Sequence, residues 1–357
     1  MIRIDEIYET IFVPWASERS LRGIHWFDPF GSTDFADLCS LPAVLCYDAA
    51  ERYLFWDQEP LQPETVAATL SQFKTAFDGR HHMVTSEYRS EQVDLVCAEY
   101  GFIPHYYWFH GWAALDWYRG YDRSLLIQEP KQRKITKTFI MPNRIIGGQR
   151  QHRLKMLYWI FKLNLMNNYI SCPQICPAEN KNIKELLLCG VPMMPDAVEV
   201  FDRVKLPLNM PGEVGHPMHS YRLSLFDESA ECLLYLVTET VATGRRLHLT
   251  EKTFKPICLR MPFIVVGTCG SLSYLRSYGF QTFATLWDES YDTVQDDDDR
   301  IAAIAVVLAD LDSKSLEQKQ QLSAAAAAIV EHNYHHFYSG AFEDILWQEL
   351  QSMLAEF

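Results

Sequence analysis

Cys232-Leu-Leu-Tyr-Leu-Val237-Thr-Glu239-Thr240, then Leu249-Thr250-Glu251-Lys252-Thr253-Phe254-Lys255-Pro256, then Arg260-Met-Pro262-Phe-Ile-Val-Val266-Gly267 form the stretch whose reading decides the fold. The first and third pieces hold short, uninterrupted apolar runs of the kind that buried strands show, and the middle piece opens on a capping threonine before a helical pattern. A buried strand that feeds a polar segment, a helix and a second buried strand is the unit from which parallel sheets are wound.

The same alternation extends outward in both directions. Upstream, strands are predicted at 138–141 and 168–171 around a helix at 151–163, with a further helix at 181–188 and a proline-rich loop at 192–217. Earlier still, strands at 41–47, 52–56, 82–86 and 103–109 alternate with helices at 63–77 and 91–100. Downstream lie a helix at 271–278 and alanine-rich helices at 300–311, 315–332 and 341–354. The polar, basic stretch at 128–137, interrupted by Pro130, reads as a linker. The expected class is therefore α/β: two Rossmann-like doubly wound domains, 1–135 and 136–357, facing a central cleft, with the last helices free to cross back to the first domain. No internal repeat is visible.

Charge narrows the function classes. The 357 residues carry 32 Lys or Arg against 46 Asp or Glu, a formal net charge of −14, which excludes a uniformly basic protein that coats duplexes. Residues 131–178, however, contain nine basic side chains (Lys131, Arg133, Lys134, Lys137, Arg144, Arg150, Arg153, Lys155 and Lys162) and no acidic one. The other 23 basic residues face all 46 acidic ones, so the remainder stands at −23. Such an island suits either a cleft for a phosphorylated ligand or a solvated helix face.

Nine scattered cysteines, an odd number set mostly among apolar neighbours, point to reduced thiols in a cytoplasmic protein. Cys172 and Cys176 lack a second pair at finger-like spacing, so no metal site is expected there. The opening MIRIDEIYETIF has acidic residues where a signal peptide is apolar, and no run reaches the roughly 18 apolar residues that a membrane span needs.

The segments TEKTFKP (250–256) and MPFIVVG (261–267) resemble the donor-site signature of glycosyltransferases of the two-Rossmann GT-B architecture. They are similar to the Thr-Glu-Lys segment of fucosyltransferase-like enzymes, and closer to glycosyltransferases encoded by tailed phages. That resemblance implies that Lys252 meets the pyrophosphate of a nucleotide-sugar donor and that Glu251 meets ribose hydroxyls. Thr250 as N-cap puts Lys252 in the first helical turn, where free N–H groups and the helix dipole favour an anion. The alternative is a plain i,i+4 surface pair between Glu251 and Lys255. Glu239 reads either as a second hydroxyl acceptor or as a capping carboxylate.

A second match lies in the basic island. Thr138-Phe-Ile-Met-Pro-Asn143-Arg144 followed by Gln151-His152-Arg153 resembles the strand, Asn-Arg turn and His-Arg helix that open the donor domain of the same families. The implied role, stabilising the departing nucleoside diphosphate, falls on Arg144, with Arg153 behind it or snorkelling over its own helix. Gly147-Gly148 would let a backbone approach a phosphate.

In the first half, Phe55-Trp56-Asp57-Gln58-Glu59, Ser86-Glu87-Tyr88 and His110-Gly111-Trp112 through Asp116-Trp117 also look like the phage family. Transfer with inversion needs a general base for the acceptor hydroxyl, and Glu59, Asp57 and Asp116 are the candidates in that order; each reads more readily as a structural cap or salt-bridge partner. Trp56, Trp112 and Trp117 read as core or as stacking partners for a sugar or base. The histidines of Glu331-His332-Asn333-Tyr334-His335-His336 lack a carboxylate motif and read as a packed helix end.

The leading expectation is a nucleotide-sugar-dependent, metal-independent, inverting glycosyltransferase, with the nucleoside-diphosphate sugar as co-substrate and no other cofactor. Phage origin would make a 5-hydroxymethylated pyrimidine in DNA a natural acceptor, in the host cytoplasm; a glycan or small molecule is the alternative acceptor. A non-catalytic nucleotide-sugar binding module is the alternative class. Oligomeric state is not encoded in any of these features.

Overall fold

The computed structural model describes residues 51–57, 60–61, 79–121, 133–177, 179–188, 194–213 and 222–356, with 14, 18, 24–26 and 70–71 as shorter pieces. The chain is α/β and divides into two compact units. Unit 1 comprises Met1–Tyr121, Arg245–His248 and Glu343–Phe357; unit 2 comprises Asp122–Gly244 and Leu249–Phe342.

Unit 1 is built on strands β1 (Ile24–Trp26), β2 (Glu51–Trp56), β3 (Arg80–Thr85) and β4 (Phe102–Tyr106), all parallel and hydrogen-bonded in the order β1-β2-β3-β4. Helix α1 (Glu91–Tyr100) links β3 to β4; the Ser90 side chain caps it and Gly101, at φ 73°, ends it in the left-handed region. Leu54, Trp56, Met83, Val93, Cys97 and Phe102 form one buried cluster. The chain then turns into α2 (Phe109–Asp116), where the sequence pattern had predicted strand as far as 109. Every residue of α2 is buried, so its apolar run has no face to alternate with, and apolar runs of that kind do not distinguish strand from helix. The predicted strand at 41–47 lies outside the described residues, as does all of the predicted helix at 63–77 except 70–71, which are helical.

Unit 2 carries β5 (Lys137–Met141), α3 (Gln151–Lys162), β6 (Tyr169–Ile170), a small antiparallel pair β7 (Ile175–Cys176) and β8 (Lys181–Asn182), and α4 (Ile183–Leu188). Then follow α5 (Ala197–Asp202), α6 (Phe226–Glu231), β9 (Cys232–Thr238), α7 (Glu251–Cys258), β10 (Phe263–Val266) and α8 (Ser271–Ser277). Helices α9 (Asp297–Ser313), α10 (Leu316–Ala325) and α11 (Ala327–Tyr338) complete unit 2, and α12 (Ala341–Ala355) lies in unit 1 from Glu343 on. The predicted single helix at 315–332 is two helices, α10 and α11, that meet at Ala326. The proline-rich loop contains α5, whose six residues are too few for an apolar period to show.

The main sheet of unit 2 is parallel with the order β10-β9-β5-β6. All seven residues of β9 and all four of β10 are buried, which explains their unbroken apolar sequence. Helix α9 packs on α3, β5 and β10, and α7 packs on β9 and α11. From β5 the chain goes to β6 on one side, then returns to β9 and β10 on the other. The strand order therefore reverses between β5 and β9, and the carboxyl ends of those two strands flank the reversal, where parallel α/β sheets leave room for ligands.

Candidate functional site

The predicted donor residues of unit 2 converge on this reversal. Arg144 follows β5 in an exposed bend; Glu239 directly follows β9; Thr250, Glu251 and Lys252 open α7. Thr250 is an N-cap in extended conformation whose hydroxyl oxygen accepts from the Lys252 N–H.

Glu239 is fully buried, and both of its oxygens are occupied. Oε1 accepts from the Thr250 N–H at 3.1 Å and the Thr253 hydroxyl at 2.6 Å; Oε2 accepts from the Thr240 N–H at 3.1 Å and the Thr250 hydroxyl at 2.6 Å. Of the two readings of Glu239, the capping carboxylate is the one these bonds describe. Its main-chain carbonyl is engaged too, by His152 Nε2 at 2.9 Å and by Arg153 at 3.1 Å. The bond to a carbonyl makes Nε2 the protonated nitrogen, and burial holds the His152 ring well below its usual range, so it is neutral.

Arg153 is buried as well. It donates to the carbonyls of Ile145 (2.7 Å), Thr238 (2.9 Å) and Glu239, and burial lowers it to about 9, which still leaves it charged at neutral pH. Its terminal nitrogens bind backbone, so it braces the loop after β5 against the end of β9 rather than lying over its own helix. Asn143 completes the brace: its Oδ1 accepts from the Thr238 hydroxyl at 2.6 Å, and its N–H donates to Ser171 Oγ. Arg144 thus projects from a loop whose neighbours on both sides are tied down.

Lys252, partly exposed, directs its ammonium to Thr240 Oγ1 (3.0 Å), Thr250 Oγ1 (3.2 Å) and Glu251 Oε1 (2.9 Å). Those three bonds account for its three hydrogens. Lys255, one turn on and half-buried, is lowered to about 8, first by desolvation and further by Lys252, while Glu251 opposes the shift.

The start of α8, which follows β10, is filled by the Asp292 carboxylate, which accepts from the Leu272 and Ser273 N–H groups. Arg300, nearly fully buried, ties the loops together by donating to the carbonyls of Gly267, Ala242 and Val294. The Gly147-Gly148 turn is not a phosphate cradle: a Cβ at Gly147 would lie 2.1 Å from Glu179 Oε1, so the space belongs to a carboxylate that would repel an anion. Nor is the basic island one patch. Lys155 pairs with Asp298 and Lys162 with Asp196; Arg133 donates to the carbonyls of Cys232 and Leu233 at the amino end of β9, and Lys137 lies at the amino end of β5. The acidic partners of these lysines come from outside the island, which a count along the chain cannot reveal.

Of the candidate bases of unit 1, the two described ones are buried. Asp57, immediately after β2, is fully buried and accepts the Tyr107 hydroxyl at 2.5 Å; Asp116, ending α2, is buried; Glu59 lies outside the described residues. Trp56 and Trp112 are core, and Trp117 is half-buried. The nearby Glu87 is paired with Arg246 at 3.1 Å and accepts from the Leu61 N–H and Ser90 hydroxyl. In unit 2, His332 and His336 bond the carbonyls of Gly279 and Tyr278 and serve as helix-packing groups. Among the described residues no three His, Cys, Asp or Glu are grouped to hold a metal, and no helix is long and apolar enough to cross a membrane.

Sequence reasoning missed His152, Thr240, Thr253 and Arg300. Their signal is positional: polar residues at a strand end or in the first turn of an otherwise apolar helix, where backbone groups need partners. No family model matches this chain, and no curated protein or solved structure matches it either.

Proposed function

We propose that the chain is a nucleotide-sugar-dependent glycosyltransferase of the GT-B type whose donor site is the reversal in unit 2. The observation that carries this reading is that Arg144 follows β5 while the Thr250-capped start of α7, which bears Lys252, is tied to Glu239 at the end of the adjoining β9. Two cations and a helix N-terminus on adjoining strand ends suit a diphosphate better than a neutral ligand.

In this reading the acceptor oxygen attacks the anomeric carbon as the bond from that carbon to the diphosphate breaks. The acceptor proton passes to a general base, and the departing nucleoside diphosphate takes the bonding electrons. Lys252, Arg144 and the α7 amides stabilise the charge that grows on that leaving group. Glu251 is the group for ribose hydroxyls. Calorimetry with a panel of nucleoside diphosphates and their sugars, followed by a transfer assay, tests the reading; a chain that binds none of them is not such an enzyme.

The acceptor in this reading is a hydroxyl, with a hydroxymethylated pyrimidine of DNA as one class and a glycan or small molecule as the other. The internal pairing of the basic island removes part of the support for a DNA track. A salt titration of DNA binding separates the classes, since phosphate contacts weaken steeply with salt. The second reading, a non-catalytic binding module, draws on the burial of Asp57 and Asp116. Donor binding without turnover across an acceptor panel would favour it.

A further inference from the structure

We infer that Glu239 is a positioning residue of the donor site, making no contact with the donor, and that it sets Lys252 and Arg144 at a fixed separation. This rests on the donor-site reading above. A carboxylate has about four lone-pair directions, and Glu239 receives four donors, so a ligand hydroxyl has to evict one of them to bind there. Eviction is costly in a fully buried site, because the displaced threonine hydroxyl or amide is left without a partner.

Glutamate also fits where its amide, glutamine, does not. Each oxygen faces one backbone N–H, Thr250 on Oε1 and Thr240 on Oε2. A hydroxyl can rotate to accept, but a backbone N–H cannot. Glutamine would therefore press its amide N–H against a backbone N–H in either orientation of the amide.

The same residue is held from behind. Its carbonyl receives His152 and Arg153; Arg153 also grips the carbonyl of Ile145, the neighbour of Arg144. In front, its carboxylate grips Thr250, the cap of the turn that bears Lys252, and Thr253. One residue thus links the Arg144 loop, β9 and the start of α7 through hydrogen bonds without a free rotor between them.

The test is a binding cycle by calorimetry on wild type and Glu239→Gln. The probes are the tightest-binding ribonucleoside diphosphate among UDP, GDP, ADP and CDP, its 2′,3′-dideoxy counterpart, and inorganic pyrophosphate. Positioning predicts that Glu239→Gln weakens all three by a similar factor of ten or more, because each needs Lys252 in place. A loss confined to the ribonucleotide, with the dideoxy form and pyrophosphate unaffected, means direct contact with ribose and overturns the inference. If Glu239→Gln melts, Thr253→Val and Thr253→Ser replace it: Val, lacking the hydroxyl donor, should weaken pyrophosphate binding severalfold and Ser should restore it. Unchanged binding in Thr253→Val overturns the inference too. If wild type binds neither pyrophosphate nor any nucleoside diphosphate, the donor-site reading falls and takes this inference with it, an outcome distinct from the others.

Discussion

Among the described residues each unit holds a parallel four-stranded sheet, yet the sheets differ in strand order. In unit 1 the described strands follow chain order, β1-β2-β3-β4; in unit 2 the order β10-β9-β5-β6 reverses between β5 and β9. Both place buried carboxylates just beyond strand ends: Asp57 and Glu87 in unit 1, Glu239 in unit 2. In unit 1 these groups are matched inward, by the Tyr107 hydroxyl and by Arg246. In unit 2 the carboxylate is also matched inward, but beside it stand an exposed Arg144 and a partly exposed Lys252. A reversal lets neighbouring loops part, and there the end of the unit 2 sheet has a braced floor beside exposed charge. Burial of acidic residues alone therefore marks structure in both units, and the proposed donor site rests on the cations of unit 2.

The largest expected effect would break the unit 1 side of this comparison. Arg246→Met leaves Glu87 buried with no counter-charge and should cost about 3–5 kcal/mol of stability at neutral pH. Burial already raises the Glu87 pKa while Arg246 restrains it, so the variant should raise it further. A carboxyl whose folded pKa is raised loses its stabilising contribution as pH rises through that folded value, and keeps it in full below the unfolded value near 4.5. The gap between variant and wild type should thus shrink as pH falls from 7.5 toward 5. Urea unfolding at the two pH values checks this, and an equal loss at both would show that Glu87 does not govern it.

The next effect belongs to unit 2. Lys252→Ala should leave the melting temperature within a few degrees, because the ammonium is partly exposed, while transfer falls at least ~100-fold, the scale of a lost charge-stabilising donor. A fully active variant removes Lys252 from the mechanism. Together the two substitutions separate a charge that serves folding from one that serves chemistry.

Much of this was legible in the sequence. The alternation of β9, α7 and β10 was readable because those strands are buried on both faces and Thr250 announces the helix. The reversal of strand order was not, since β5 and β9 pair across nearly a hundred residues and nothing local states which side β6 takes. Motifs singled out Arg144, Lys252 and Glu251, but Arg153 carries the same charge as Arg144, and Glu239 the same charge as Glu251, while both are spent on backbone and threonine partners. A guanidinium that reaches solvent and one that caps three carbonyls have the same letter; only the carbonyl positions, fixed by the sheet, distinguish them. The basic island misled for a related reason: Asp298 and Asp196, which neutralise Lys155 and Lys162, are distant in sequence.

A smaller effect sharpens the acid behaviour of unit 1. The His105 ring stacks on His82 with its Nε2 2.9 Å from His82 Nδ1 and its Nδ1 3.6 Å from Glu356; burial, aided by His82, lowers it to about 4. A histidine whose folded pKa is depressed supports the fold above its unfolded value, near 6.5, and that support is lost as pH falls through about 4. His105→Gln should be less stable than wild type at pH 7.5, and the difference should narrow between pH 6.5 and 4. Thermal melts across that range read it out; parallel curves would assign the acid sensitivity to other groups.

The smallest effect concerns the resting state of the donor site. With Thr240, Thr250 and Glu251 occupying its three hydrogens, Lys252 can meet a phosphate only by giving up one of these oxygens. Glu251 is the charged member, so it competes most directly with an incoming anion. Glu251→Gln keeps the shape and one acceptor oxygen but drops the charge, and an ion pair at a partly exposed site is worth about 0.2–1 kcal/mol. Inorganic pyrophosphate should therefore bind up to about fivefold more tightly to the variant, whereas the nucleotide, which in this reading needs Glu251 for its ribose, should gain less or lose. Opposite signs for the two ligands would place Glu251 between the phosphate and the sugar of the donor. A loss for both would mean that its charge holds Lys252 in register, a role like that of Glu239.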